Sequence, residues 1–198
     1  MLIDIDLLSQ YGGFTETYGP SDVIFEEGDL PKFYYQIITG TVKLSHTNEE
    51  GKELIQSILS DGQSVCELLS FIKETYPVNA IAISECSIIM VPKTDFLQLL
   101  DDHHQAALDV RQFIAERLYQ KFILMQNNAS KYSNVRIKGI LAYFKSLSEN
   151  QSPYSYELPL TRKQLASITG LRVETVIRTV KKMEADKVLK IKNRKIYF

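Results

Sequence analysis

From His103 to Ala129 the chain runs without a glycine or a proline, and apolar residues recur along it at Val110, Ile114, Leu118, Phe122 and Met125. Spacings of four, four, four and three predict one uninterrupted helix. About 26 helical residues measure roughly 39 Å, more than a small domain needs to cover itself. Phe113 and Leu124 widen the apolar arc to nearly half the circumference, so two faces need cover. One is expected to pack on the chain's own core. The other is expected to pack on a second copy, giving a parallel two-helix seam built from Val110, Ile114, Leu118, Phe122 and Met125. The competing arrangement is a helix buried wholly within one chain.

The segments on either side of this rod differ in kind. From about Tyr18 to Pro92, Gly, Pro, Asn and Asp recur at short intervals between runs rich in Ile, Val, Tyr and Phe. Strands are expected at Val23 to Phe25, Phe33 to Ile38, Thr41 to Ser45, Glu53 to Leu59, Ala80 to Ile83 and Ser87 to Val91. Gly28-Asp29, Gly40, Asn48 to Gly51 and Asp61-Gly62 supply the turns, because these residue types tolerate positive φ. An antiparallel β-roll or barrel follows, then a short helix over Thr94 to Leu100. Beyond the rod, Ile137, Ile140, Leu141, Phe144 and Leu147 predict a helix from about Val135 to Glu149, broken by Asn150 to Tyr156. The last 40 or so residues read helix, turn, helix and then two short strands, around Val188 to Ile191 and Lys195 to Phe198, turned at Asn193-Arg194. The class is α+β, with domains expected at 1–102, 103–130 and 131–198.

Composition narrows the function. Up to Ser130 the chain carries 8 Lys plus Arg against 19 Asp plus Glu, a balance of −11; from Lys131 onward it carries 15 against 5, a balance of +10. A basic back half of this size points to a polyanion, most simply nucleic acid. No run reaches the roughly 18 apolar residues of a membrane helix, and the N-terminus lacks a basic-then-apolar signal, so a cytoplasmic protein with no membrane partner is expected. Cys66 and Cys86 lack CxxC spacing and are read as reduced, partly buried thiols. Haem held through His46, His103 or His104 is the alternative to reading His103-His104 as a solvated helix start, which is the reading preferred. A β-roll enzyme of the cupin kind would need two or three convergent His ligands. With no P-loop, Rossmann glycine run, HExxH or Ser-His-Asp set either, no enzyme, metal or cofactor is expected.

The richest signal lies at Thr161-Arg162-Lys163-Gln164, a capping box that starts a helix. That helix ends at Thr169-Gly170, and the next runs from about Arg172 to Ala185. Ala166 where two helices approach, Gly170 in the turn and Val176 ten residues after Ala166 fit a helix-turn-helix. On the second helix Val173, Val176, Val180 and Met183 are expected to face inward, with Arg178 opposite them and Glu174 one turn earlier. Any amphipathic helix looks similar; position decides, because the second helix of this motif enters the major groove. Arg178 can there donate twice to a guanine, Glu174 can accept from a cytosine amino group, and Thr175 lies beside them. Thr161, Arg172, Lys181, Lys182, Lys192 and Arg194 are the expected phosphate contacts, with Lys190 and Lys195 nearby on the hairpin. The rival reading is a ligand-binding module whose helix-turn-helix meets a protein; the exposed Glu174–Arg178 pair in a basic half argues against it.

Several segments carry a family resemblance over nearly the whole chain: Gly28-Asp29 with Gly40-Thr41-Val42-Lys43-Leu44, Asp61-Gly62 leading to Glu67-Leu68, Val91-Pro92-Lys93 with Phe96, and Leu171-Arg172-Val173-Glu174-Thr175-Val176-Ile177-Arg178. The chain resembles the catabolite-activator and fumarate-nitrate-reduction (Crp/Fnr) superfamily. The resemblance implies a cyclic-nucleotide-binding-like β-roll (a double-stranded β-helix), a long dimerisation helix and a C-terminal winged helix-turn-helix. It further implies a homodimeric transcription regulator on two-fold symmetric double-stranded DNA, with RNA polymerase as a partner. Glu174 and Arg178 match the family's base-reading pair, while Ile177 replaces a Ser common there. In nucleotide-binding members a Gly-Glu-Leu is followed by an Arg that neutralises the cyclic phosphate. Here the pocket residues are Glu67, Leu68, Val78, Asn79 and Ala80, preceded by Cys66, and Val78 stands where the cation would be. A buried phosphate without its Arg loses its charge-assisted bonds, so an effector other than cyclic AMP, of unknown chemistry, is expected. The N-terminal cysteine cluster of the oxygen-sensing branch is also missing.

Overall fold

The structure is a computed structural model that describes residues 2–146, 148 and 150–198. It divides into two compact units, Met1–Glu116 and Arg117–Phe198. The division falls inside the long helix, whereas the sequence places borders at its two ends.

In the first unit Asp4 caps the helix α1 (Ile5–Gln10), its carboxylate accepting from the amides of Asp6 and Leu7 at 3.0 and 3.2 Å. Seven strands follow: β1 (Phe14–Tyr18), β2 (Val23–Phe25), β3 (Phe33–Thr39), β4 (Val42–Thr47), β5 (Glu53–Leu59), β6 (Asn79–Ala82) and β7 (Cys86–Pro92). They form two antiparallel sheets, ordered β1-β7-β3 and β2-β6-β4-β5, which settles the choice in favour of the roll. Neither α1 nor β1 is among the expected elements. Gly40 joins β3 to β4 at φ +105°, and a Cβ there would overlap the Glu85 carbonyl and the Cys86 sulfur, so only glycine fits the turn.

The sheet β1-β7-β3 is a wall shared by two cores. Tyr35, Ile37, Ile88 and Met90 point into the roll, joining Phe25, Leu44, Tyr76, Val78 and Ala80. Tyr34, Ile89 and Val91 point the other way, onto Phe96 and Leu99 of helix α2 (Lys93–Asp102) and Ala106 and Val110 of helix α3 (His104–Asn128). Burial on both faces explains why Ile88 to Val91 of β7 read as a continuous apolar run instead of alternating. Tyr34 stacks on Phe96 with ring centroids 4.0 Å apart. Gln36, fully buried in the same wall, pairs with the Ile3 backbone as a neighbouring strand would. Its Oε1 accepts from Ile3 N at 3.0 Å, and its Nε2 donates to Ile3 O at 2.7 Å.

The second unit takes in the end of α3, then α4 (Ser133–Ser146), α5 (Arg162–Thr169), α6 (Val173–Ala185), β8 (Lys190–Lys192) and β9 (Lys195–Tyr197). Leu147 and Glu149, expected on the last turn of α4, lie outside the described residues. Ile137, Ile140, Leu141 and Phe144 of α4 are buried, as are Leu165 and Ala166 of α5 and Val176, Val180 and Met183 of α6. Residues 156–158 add an edge to the hairpin: Tyr156 and Phe198 exchange backbone bonds, and Leu158 N donates to Ile196 O at 2.8 Å.

Candidate nucleic-acid interface

Helices α5 and α6 are set by the local chemistry the sequence announces. The Thr161 hydroxyl accepts from Gln164 N at 3.1 Å, and Gln164 Oε1 accepts in return from Thr161 N at 2.8 Å. Gly170 ends α5 in the left-handed region, φ +67° and ψ +17°, and Leu171 N returns to Ala166 O at 3.1 Å. Two residues at these helices have partners within the chain. Thr161 uses its hydroxyl on the box, as acceptor from Gln164 N and as donor to Gln164 Oε1 at 3.0 Å, so a phosphate there would have to displace the cap. Val173 is only half-buried, and the inward face of α6 is completed instead by Thr179, whose hydroxyl shares a 2.8 Å hydrogen bond with Ser133 at the start of α4.

The outward face of α6 carries Glu174, Arg178, Lys181 and Lys182, all exposed, with Thr175 half-buried beside them. Among the described residues these four charged side chains have no hydrogen-bond or ion-pair partner within the chain. Arg178 and Lys182 also border a cleft of about 520 Å³ that reaches Tyr132, Ser133 and Lys138 of the α4 end. Arg172 caps α6 with its backbone, leaving its own side chain exposed and uncommitted. Ile191 N donates to the Glu184 carboxylate at 2.8 Å, tying the hairpin to α6. Lys192 and Arg194 are exposed on that hairpin, Arg194 at φ +64° in its turn. Lys190 lies over the Tyr154 ring, 4.3 Å from its centroid. Lys195 differs from its neighbours: it is ion-paired with Glu157, which also accepts from the Tyr197 hydroxyl at 2.5 Å. Those bonds hold the Glu157 carboxyl below its ordinary value and neutralise one of the hairpin's cations.

The residues expected to form an effector pocket differ in exposure and in their partners. Glu67 is buried and accepts from Ser64 Oγ at 2.8 Å, on a short 3-10 turn entered through Cys66 at φ +55°. Leu68, the next residue, faces out and is 42% exposed. Val78 and Ala80 belong to the packed interior of the roll, where Phe25 stacks on Tyr76 with centroids 3.6 Å apart. Asn79 Oδ1 accepts from Glu27 N at 2.9 Å. His46 also goes to Glu27, at 2.7 Å, and no group of metal-holding side chains is found among the described residues.

The seam on α3 needs a similar revision. Val110 is 1% exposed and packs inside the chain's own helix-covered core, and Ile114 lies half-buried against that core. Leu118, Phe122 and Met125 are more than half exposed. They follow one another at four and three residues, the spacing of a coiled-coil seam. The sequence merges the inward and outward faces because both are apolar; only burial separates them. No helix of the described residues is long and apolar enough to cross a membrane.

The first unit and the second match separate family models: residues 15–103 match the cyclic nucleotide-binding domain, and residues 136–198 the Crp-like helix-turn-helix domain. Among curated proteins, the chain is 21% identical over 188 residues to the transcriptional activator protein FnrL of Cereibacter sphaeroides, covering 92% of this chain and 75% of that one. It is 26% identical over 170 residues to the cAMP-activated global transcriptional regulator CRP of Salmonella typhimurium, covering 84% and 80%. Its fold is similar to that of FixK2 from Bradyrhizobium japonicum, with TM-score 0.79, 20% identity and coverage of 94% and 92%. The c-di-GMP responsive regulator CLP of Xanthomonas campestris gives TM-score 0.77, 20% identity and coverage of 98% and 99%. A β-roll, a long helix and a Crp-like helix-turn-helix define a DNA-binding transcription regulator. The chain belongs to the Crp/Fnr family.

Proposed function

We propose that this regulator binds a two-fold symmetric DNA site as a homodimer and reads each half-site with Glu174, Thr175 and Arg178. The observation that supports the reading is the outward face of α6: Glu174 and Arg178, one turn apart, are exposed and uncommitted on a helix whose opposite face is locked into the unit. A carboxylate among phosphates costs affinity and is tolerable only where it rejects wrong bases. Arg172, Lys181, Lys182, Lys192 and Arg194 hold the backbone, with Thr161 left to its capping role. Leu118, Phe122 and Met125 form the seam, so the working divisions are a roll at 1–102, a seam helix at 103–130 and a DNA-binding unit at 131–198. Regulation through the roll runs by an effector other than cyclic AMP or cyclic GMP, since Val78 is apolar, buried and unable to neutralise a phosphate. RNA polymerase is the expected protein partner, and the cytoplasm the place of action; no catalytic role is assigned.

Selection of duplexes from a random-sequence pool tests this directly. The expected product is an inverted repeat with half-site centres about 34 Å apart, bound with a steep salt dependence. Recovery of no enriched sequence, or of single half-sites only, would overturn the reading.

A further inference from the structure

The last carbonyls of α5 have no partner within their own helix. Two side chains from outside the helix-turn-helix take them. Asn128, the last residue of α3, donates from Nδ2 to Ile168 O at 3.1 Å. Arg136, on the first turn of α4, donates from Nη1 to Thr169 O at 3.3 Å, and its Nε donates to Ser130 O at 2.6 Å. One guanidinium therefore bridges the link between α3 and α4 to the turn at Gly170, and its charge sits where the α5 dipole is negative. Asn128 makes its bond at a cost: its Oδ1 is buried and, among the described residues, without a partner. An amide that served only to fill space would not need to leave an acceptor orphaned, and an apolar residue of similar size would fill the position without that loss.

We infer that Asn128 and Arg136 are positioning residues that fix the helix-turn-helix to the end of the seam helix and so set the distance and rotation between the two reading heads of the dimer. The inference rests on the proposal that α6 reads DNA in a dimer. Neither residue touches bases in this scheme. What they control is the spacing between half-sites, because a head clamped to its seam helix can meet only one separation of grooves, while a loosened head can meet several.

The test uses the full chain and the inverted repeat selected by the parent protein, with the spacer lengthened or shortened by one base pair. The parent is expected to lose about tenfold or more in affinity for either altered spacer; Asn128→Ala with Arg136→Ala is expected to lose only about threefold or less, keeping the parent's ranking of bases within a half-site. Arg136→Lys, which keeps the charge but reaches one carbonyl at a time, should fall between them. Asn128→Ala alone removes the orphaned acceptor, so its Tm should stay within about 2 °C of the parent while spacing discrimination falls. Arg178→Ala serves as the control. If it leaves base ranking unchanged, the reading of α6 is at fault; if it relaxes base ranking while the clamp variants keep the parent's spacing penalty, the clamp is refuted alone. A clamp variant that loses Tm but keeps the spacing penalty refutes it as well.

Discussion

Arg178 and Lys182 are neighbours on one face, yet the physics assigns them different work. A guanidinium placed at a base edge donates twice to guanine, so Arg178→Ala should cost about 1–3 kcal/mol per half-site and relax discrimination at one base pair. An ammonium at a phosphate carries no sequence information, so Lys182→Ala should weaken all duplexes alike and reduce the salt slope by about one unit for each phosphate no longer neutralised. Competition between half-site variants at two salt concentrations separates the two; an Arg178→Ala protein that ranks variants as the parent does would remove the base-reading role. A third residue reports on the roll. Burial pushes the Tyr35 phenol from its ordinary 10.0 up to about 12, and the phenols of Tyr18 and Tyr76 are also raised by burial. Groups raised in the fold stabilise it fully below 10.0 and lose that contribution as the pH climbs towards 12. Alkaline titration should therefore unfold the roll across that window, tyrosinate absorbance rising together with the loss of circular dichroism. Phenols that ionise near 10.0 in an intact fold would show the cluster to be wet. Arg178 and Lys182 were legible in the sequence because the helix-turn-helix spacing fixes their place; Thr179, Asn128 and Arg136 were not, since they carry no motif and their contacts exist only because α3, α4, α5 and α6 meet.

At the level of elements, the seam and a helix crossing each make a sharp demand. Leu118→Glu with Phe122→Glu places charges on the exposed stripe of α3 and should yield monomers with weak DNA binding; sedimentation as a dimer would put the seam elsewhere. At the crossing of α3 and α4, a Cβ on Gly139 would lie 2.5 Å from Asn127 Nδ2 and 2.8 Å from Asn127 Cβ. Alanine normally gains about 1 kcal/mol over glycine inside a helix, while overpacking costs about 1–3 kcal/mol. Gly139→Ala should lower stability in urea denaturation, and a rise would mean that the crossing has room. The glycine itself was visible in the sequence, but its reason was not, because an interior helical glycine has several explanations until its neighbour is known. Strands β2 and β5 were legible to the residue, since turn residues bracket them. Strand β1 was not: Phe14-Thr15-Glu16-Thr17-Tyr18 is a largely exposed edge with little apolar signal. Helix α1 spans only six residues, too short for a periodicity to form.

For the molecule as a whole, the acidic front and basic back forecast the division of labour, and the helix-turn-helix chemistry forecast which end meets DNA. Their weakness was in borders. A periodic pattern shows where a helix runs but not which of its residues a neighbouring sheet requires. The wall formed by β1, β7 and β3 bears directly on how this protein can be cut. A fragment ending at residue 102 would keep every strand of the roll and yet strip Ala106 and Val110 from the outer side of Ile89 and Val91. Recombinant production of residues 1–102 should give aggregated material that binds hydrophobic dyes, whereas residues 1–116 should be recovered soluble and melt cooperatively. Limited proteolysis should agree, sparing the first turns of α3 in whatever core survives digestion.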